Sequence, residues 1–138
     1  MAATLKLEIV TPSAVAYSSD VEMVTLPAVE GQIGIYPLHV PLLTRIVPGE
    51  IIVRKHGRDD FLAVGEGLVE ITASQVAIVT DMAIAAENID QVRVEAARQR
   101  AEARLRDTIS DAEVATVNAS LARSLVQLRV KRRVHRLP

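Results

Sequence analysis

The sequence predicts an antiparallel β-sandwich followed by an antiparallel two-helix hairpin. Two distributions predict it. All six Gly lie at or before Gly67 and five of six Pro at or before Pro48, and between these breakers seven or more short apolar runs recur about every ten residues. That rhythm is the signal of a sandwich or barrel. From Glu87 onward the chain is Ala-rich and unbroken until Pro138. Charge divides at the same place. Residues 1–90 hold 5 Lys/Arg against 12 Asp/Glu, net −7, and residues 91–138 hold 11 against 5, net +6. Two modules follow, 1–87 and 88–138.

The strands can be read in order. Leu5, Leu7 and Ile9 alternate with Lys6 and Glu8, closed by Thr11-Pro12. Val21 to Leu26 follows, ended by Pro27, and Ile33-Ile35-Tyr36 sits between Gly31/Gly34 and Pro37. Gly49-Glu50 opens Ile51 to Lys55, and His56 to Asp60 reads as a turn before Phe61 to Val64. Leu68 to Ile71, a Thr72 to Gln75 turn and Val76 to Val79 complete the set. A sandwich this small buries only roughly 60% of its unfolded surface, so a thin core is expected. Gly31, Gly34, Gly65 and Gly67 read as turn glycines supplying positive φ.

The helices follow from caps and period. Asn88 with Gln91 three residues on has capping-box spacing, and Ser110 with Glu113 repeats it. Val94, Ala97, Ala101 and Leu105 form one stripe; Val114, Val117, Leu121, Leu125 and Leu128 form another. These spans predict helices of roughly 20 and 27 residues, and the short gap at Asp107-Thr108-Ile109 makes them antiparallel neighbours. The first helix offers mostly Ala, so the hairpin should be held weakly.

Composition excludes much. The chain has 138 residues, 49% apolar and 24% charged, which suits a packed fold. It has no Cys, which removes disulfides, thiol catalysis and Cys-ligated metal. No apolar run approaches a membrane span. Met1 leads at once into strand pattern, so no leader is expected. His39, His56 and His135 lack metal-ligand spacing. The glycine pairs lack the Lys-Ser/Thr of a phosphate loop, and no nucleophile context is present. An enzyme acting alone is not expected.

The basic end stands out: Arg129, Lys131, Arg132, Arg133 and Arg136 crowd the last turns. A helix C-terminus favours one or two cations, not five. The surplus implies an anionic partner. Nucleic acid fits poorly, without interleaved aromatics and with an acidic first module, so an acidic protein surface is expected.

The segment from Leu26 through Gly31-Gln32-Ile33-Gly34-Ile35-Tyr36-Pro37-Leu38-His39 to Thr44 resembles the N-domain signature of ε subunits of bacterial F-type ATP synthases. Ile46 to Ile51, Val64 to Ile71, Val79 to Ala83, Asn88-Ile89-Asp90 and Leu125 to Val130 are similar too, so the resemblance spans the chain in order. It implies a ten-stranded sandwich with a helical hairpin, in a non-catalytic stalk subunit that turns with γ. The sandwich would bind γ and rest on the c-ring, with Gly31, Gln32 and His39 on that side. The hairpin would fold on the sandwich or extend to the α/β catalytic hexamer and restrain ATP hydrolysis, its basic end meeting acidic surface there. Membrane contact would come only through the complex, peripheral to the cytoplasmic face of the bacterial inner membrane.

Some members of that family bind ATP through Ile/Leu-Asp-x-x-Arg-Ala on the first helix. Ile89, Asp90 and Arg93 match, but Val94 replaces Ala. The acid expected six residues before the Asp is Ile84, and of an Arg pair on the second helix Arg123 matches and Gln127 does not. No cofactor is expected, and ATP, if it binds through Asp90, Arg93 and Arg123, is expected to bind weakly. The residues alone also fit a free-standing adaptor, with a sandwich for one protein and a basic hairpin for an anionic surface.

Overall fold

The computed structural model describes residues 3–107 and 109–136, with the backbone alone for 135 and 136. Ten strands come first: β1 Leu5–Val10, β2 Val15–Val21, β3 Met23–Ala28, β4 Gly31–Ile35, β5 Leu42–Ile46, β6 Gly49–Lys55, β7 Arg58–Val64, β8 Gly67–Ile71, β9 Gln75–Thr80 and β10 Ala83–Ala85. A 3-10 turn, Ala86–Asn88, leads to α1, Gln91–Leu105, and α2, Asp111–Arg136. This is the expected sandwich and hairpin. The Thr108 part of the expected connection lies outside the described residues.

The strands pair in the order β10-β7-β6-β3-β5-β8-β9-β1-β2, with β4 on the free stretch of β3. β3 and β5 share only the Ala28–Ile46 pairing. That corner divides the strands into two five-stranded layers, β10-β7-β6-β3-β4 and β5-β8-β9-β1-β2. All pairings are antiparallel except β1 with β9. The interior is aliphatic: Leu7, Ile9, Val24, Leu26, Ile51 and Val64 lose all contact with solvent, and no aromatic ring lies among the buried residues of this core.

Several local expectations give way. The predicted turn at His56–Asp60 is only His56-Gly57, with φ of 54° and 72°. Two residues with positive φ make the tight hairpin turn that suits strand twist, so β7 begins already at Arg58. Pro27 does not end its strand; it pairs opposite Gln32 within β3. Val21 closes β2 rather than opening β3. Among the glycines only Gly31 and Gly57 take positive φ. Gly65 and Gly67 serve close approach instead: a Cβ on Gly67 would lie 2.0 Å from the Val79 carbonyl oxygen, and one on Gly65 would lie 1.9 Å from Asp81 Oδ1.

The helices also differ in detail. Asp90, not Asn88, caps α1, accepting a hydrogen bond from the Arg93 amide at 3.1 Å. Asn88 is used up in the 3-10 turn before it. α1 is therefore 15 residues and α2 26, about 22 and 39 Å at ~1.5 Å per residue. Ser110 does cap α2, accepting from the Glu113 amide at 3.2 Å. Glu113 does not complete the box; its carboxylate faces Arg104 across the hairpin at 3.4 Å.

β7 positions the hairpin. Leu62 and Val64 point into the sandwich, so Phe61 and Ala63 point out. On that outer face Ala63 pairs with Glu50 of β6 and Ile84 of β10, and Phe61 pairs with Ile52. α2 lies over this row. Val126 and Val130, one turn apart, are buried against Ala63, Ala86 and Ile89, with Phe61, Met82, Ile84 and Val134 at the margin. The predicted α2 stripe is thus one of two buried faces: Leu128 is buried near α1, while Leu125 stays 43% exposed between the faces.

Candidate functional site

Two of the three nucleotide candidates, Asp90 and Arg93, meet at the seam between hairpin and sandwich. A crevice of about 320 Å³ is lined by Ile84, Asn88, Asp90, Arg93, Val94, Ala97, Ser124 and Gln127. Asp90 and Arg93 reach it through the first turn of α1, and Gln127 through α2. Arg123 does not line it and lies 3.5 Å from Asp81 Oδ2 instead. The Asp90 carboxylate is engaged as the α1 cap. Gln127 Nε2 donates to Met82 Sδ at 3.2 Å. Val94 is buried in the apolar cluster, so its branched side chain takes space that Ala would leave open. The lining carries one carboxylate and one guanidinium and has no net charge for a polyphosphate. Calorimetry on the intact chain should therefore detect no ATP binding below the millimolar range. A micromolar dissociation constant would show that Asp90, Arg93 and a rearranged Arg123 suffice.

The basic end does not act as one patch. Arg129, Arg132 and Arg133 line an open groove of about 640 Å³ with Arg98, Leu125 and Leu128. Lys131 faces the other way and donates to the Ala86 carbonyl oxygen at 3.1 Å. Arg132 comes within 4.0 Å of Glu95, and Arg98 is bonded to both Glu95 and Glu102, which holds the Glu95 carboxyl below the usual range. Arg133 donates to Glu50 on β6. The Arg136 side chain lies outside the described residues. With the hairpin folded, at least two of the five expected partner-binding cations are bonded to the sandwich.

The signature residues near the first hairpin are also divided. Gly31 and Gln32 open β4 beside the β3–β4 turn, where the Val29 amide donates to the Arg45 carbonyl at 3.1 Å. His39 lies beyond the other end of β5, where the Leu38 amide donates to the Ala73 carbonyl at 2.8 Å. Its Nδ1 is 2.7 Å from the Val40 carbonyl oxygen. The four steps from Leu42 to Ile46 separate these ends by roughly 13 Å. Between them the outer face of the second layer exposes Leu43 and, opposite Arg45, Leu68, with Val79 beside Leu68. The loop exposes Tyr36, Leu38 and Val40. This apolar surface faces away from the hairpin and is not marked by sequence pattern, because outward Leu68 and Val79 sit beside inward Val69 and Ile78 in runs that read as apolar throughout.

Residues 4–86 match the family described as ATP synthase, Delta/Epsilon chain, beta-sandwich domain, and residues 87–132 match its long alpha-helix domain. The chain is 36% identical to the ATP synthase epsilon chain of Laribacter hongkongensis (strain HLHK9) over 138 residues, covering 96% of this chain and 99% of that one. Its fold resembles a chain of the Euglena gracilis mitochondrial ATP synthase structure (OSCP/F1/c-ring), with TM-score 0.67, 19% identity, and 98% of this chain and 81% of that chain covered. It also resembles one in the Tetrahymena thermophila mitochondrial ATP synthase central stalk/c-ring structure, with TM-score 0.62, 14% identity, and coverage of 94% and 98%. Among the described residues no helix is long and apolar enough to cross a membrane.

Proposed function

Because the chain belongs to the ATP synthase Delta/Epsilon chain family, we propose that it is a rotor subunit of an F-type ATP synthase. In this reading it couples the catalytic head to the c-ring and performs no chemistry itself. The observation that carries the proposal is the full-length match to an epsilon chain, in which both the sandwich and the hairpin are retained. The sandwich binds γ and the c-ring, and the exposed Leu43–Leu68–Val79 face and the loop around His39 suit such docking: apolar, rimmed by charge, and clear of the helices. The subunit sits at the cytoplasmic side of the bacterial inner membrane through these partners alone. The free-standing adaptor has no comparable support.

The hairpin restrains ATP hydrolysis when it leaves the sandwich and its basic end meets acidic surface of the α/β hexamer. Arg132 is placed for this at once, since its ion-pair partner Glu95 is on α1 and not on the sandwich; Arg129 lines the same open groove but also acts on Glu50 of β6. Lys131 and Arg133 become free only on release. The test is a chain ending at residue 87, assembled with the remaining subunits. It should keep its fold and its hold on γ, and ATP hydrolysis should rise severalfold while synthesis persists. Loss of γ binding by a folded 1–87 chain would defeat the division of labour. Unchanged hydrolysis with full incorporation would defeat the regulatory role.

A further inference from the structure

The geometry points to a latch: Glu50 of β6 and Arg133 of α2, with Phe61 beneath the guanidinium, hold the hairpin down on the sandwich, and Arg133 cannot serve an outside partner until that latch opens. Glu50 lies on the outer face of the first layer, opposite Ala63, under the far end of α2. Its side chain is only 10% exposed, whereas Arg133 is 51% exposed. The carboxylate is the fixed half, set by strand register, and the arginine is the half that can swing. Arg133 donates to Glu50 Oε1, and its guanidinium carbon lies 5.2 Å from the Phe61 ring centroid. An arginine over an aromatic face with a carboxylate beside it satisfies both its charge and its flat surface.

The apolar seam is short, with Val126, Val130 and Val134 repeating every turn of α2. Removing one partner of a partly buried ion pair costs more than the pair itself contributes, because the other charge is left desolvated. Lifting α2 takes Arg133 from Glu50 and leaves the carboxylate without its bonded partner. Burial already pushes the Glu50 carboxyl above its ordinary range, and Arg133 and Arg129 pull against that. Desolvation is thus not fully offset, and a carboxylate left alone there is costly. Glu50 and Arg133 lie 83 positions apart; Glu50 falls in the Ile46 to Ile51 segment that resembles the family, and Arg133 lies beyond the resembling Leu125 to Val130 segment. The latch's consequence in the assembled enzyme rests on the regulatory reading above; its existence does not.

The absence of Cys provides the test. Ala86 is 5% exposed and covered by α2, so a single Ala86→Cys thiol reacts with a maleimide only when the hairpin lifts. Its labelling rate in the intact isolated chain reports the opening equilibrium even when the open state is rare. Arg133→Met should raise the rate at least about tenfold, because a buried carboxylate loses its partner. Glu50→Gln should raise it less. The double variant Glu50→Gln/Arg133→Met should label more slowly than Arg133→Met alone, since the stranded charge is gone. An unaltered sandwich melting temperature in all variants separates lifting from unfolding. If Arg133→Met leaves the rate unchanged, or the two substitutions simply multiply, there is no latch. If the rate rises as expected while ATP hydrolysis by the complex carrying Arg133→Met is unchanged, the latch stands and the regulatory reading fails.

Discussion

Val130→Asp should free the hairpin from the sandwich and leave the sandwich folded. Val130 has no solvent contact and sits mid-seam between α2 and the outer face of β7. An unpaired carboxylate there costs several kcal/mol. The substitution also removes the burial of Val130 itself, about 1.5–3 kcal/mol, so Val126 and Val134 are left to hold the seam against that charge. The cheapest response is to lift α2, because none of the β-ladders passes through it. Limited proteolysis should then trim the chain to a resistant fragment ending near residue 87, and thermal unfolding of that fragment should match the sandwich of the parent. Whole-chain unfolding would show that the helices are integral to the fold rather than docked upon it. Val130→Ala, which adds no charge, should give only partial sensitivity.

Gly67→Ala should destabilise the sandwich by about 3 kcal/mol, or lower its melting temperature by roughly 12–24 °C. The added Cβ would meet the Val79 carbonyl oxygen at 2.0 Å and the Thr80 Cα at 2.9 Å. These are backbone atoms of the paired strand, and they can move only by parting β8 from β9. Gly65→Ala is the contrasting case. Its Cβ would meet Asp81 Oδ1, the end of a side chain that can rotate away and give up Arg123. A loss of about 1 kcal/mol is expected there, since the Asp81–Arg123 pair is largely exposed. Thermal scans of the two variants side by side decide it, and equal losses would refute the distinction between backbone and side-chain obstruction.

The two-module plan was legible because it is written in composition: breakers and alternation before Glu87, Ala and helical period after it. Strands with one clean buried face, such as Leu5–Val10, showed themselves by alternation. β2 did not, because Val15-Ala16-Tyr17-Ser18-Ser19-Asp20 is mostly exposed and buries only Val21 fully. β10 is three residues of Ala and Ile, too short for any period. The single stripe that the spacing predicts on α2 holds Leu125, which is exposed, whereas Val126, Val130 and Val134 form a second face that only the outer side of β7 makes an inside. The roles of Gly65 and Gly67 depend on a strand twelve or more residues away, which local sequence cannot display. Asp90 and Arg93 are candidates for the crevice only through the resemblance to the family's Ile/Leu-Asp-x-x-Arg-Ala motif; the residues by themselves read as a helix-start carboxylate and a solvated arginine. Glu50 is not marked at all, since nothing near it in sequence points to Arg133.

The parallel pairing of β1 with β9 has a consequence for how the chain is born. β2 can fold back on β1 as soon as it is made, but the other edge of β1 must wait: Leu7 pairs with Val76 and Val10 with Val79. Of the sandwich strands, the one made first thus waits longest for its second neighbour, and until residue 80 or so emerges it carries Leu5, Leu7 and Ile9 with half their shelter missing. Such long-range closure is the slow step of β-rich folding and the one most open to aggregation. The helices need no such delay, since α1 and α2 are neighbours in sequence. The outer face of β7 on which they settle is complete once β10, the last strand made, pairs with it. Docking of the hairpin therefore ends the folding sequence, and the contact that forms last is also the one that the working subunit would break first.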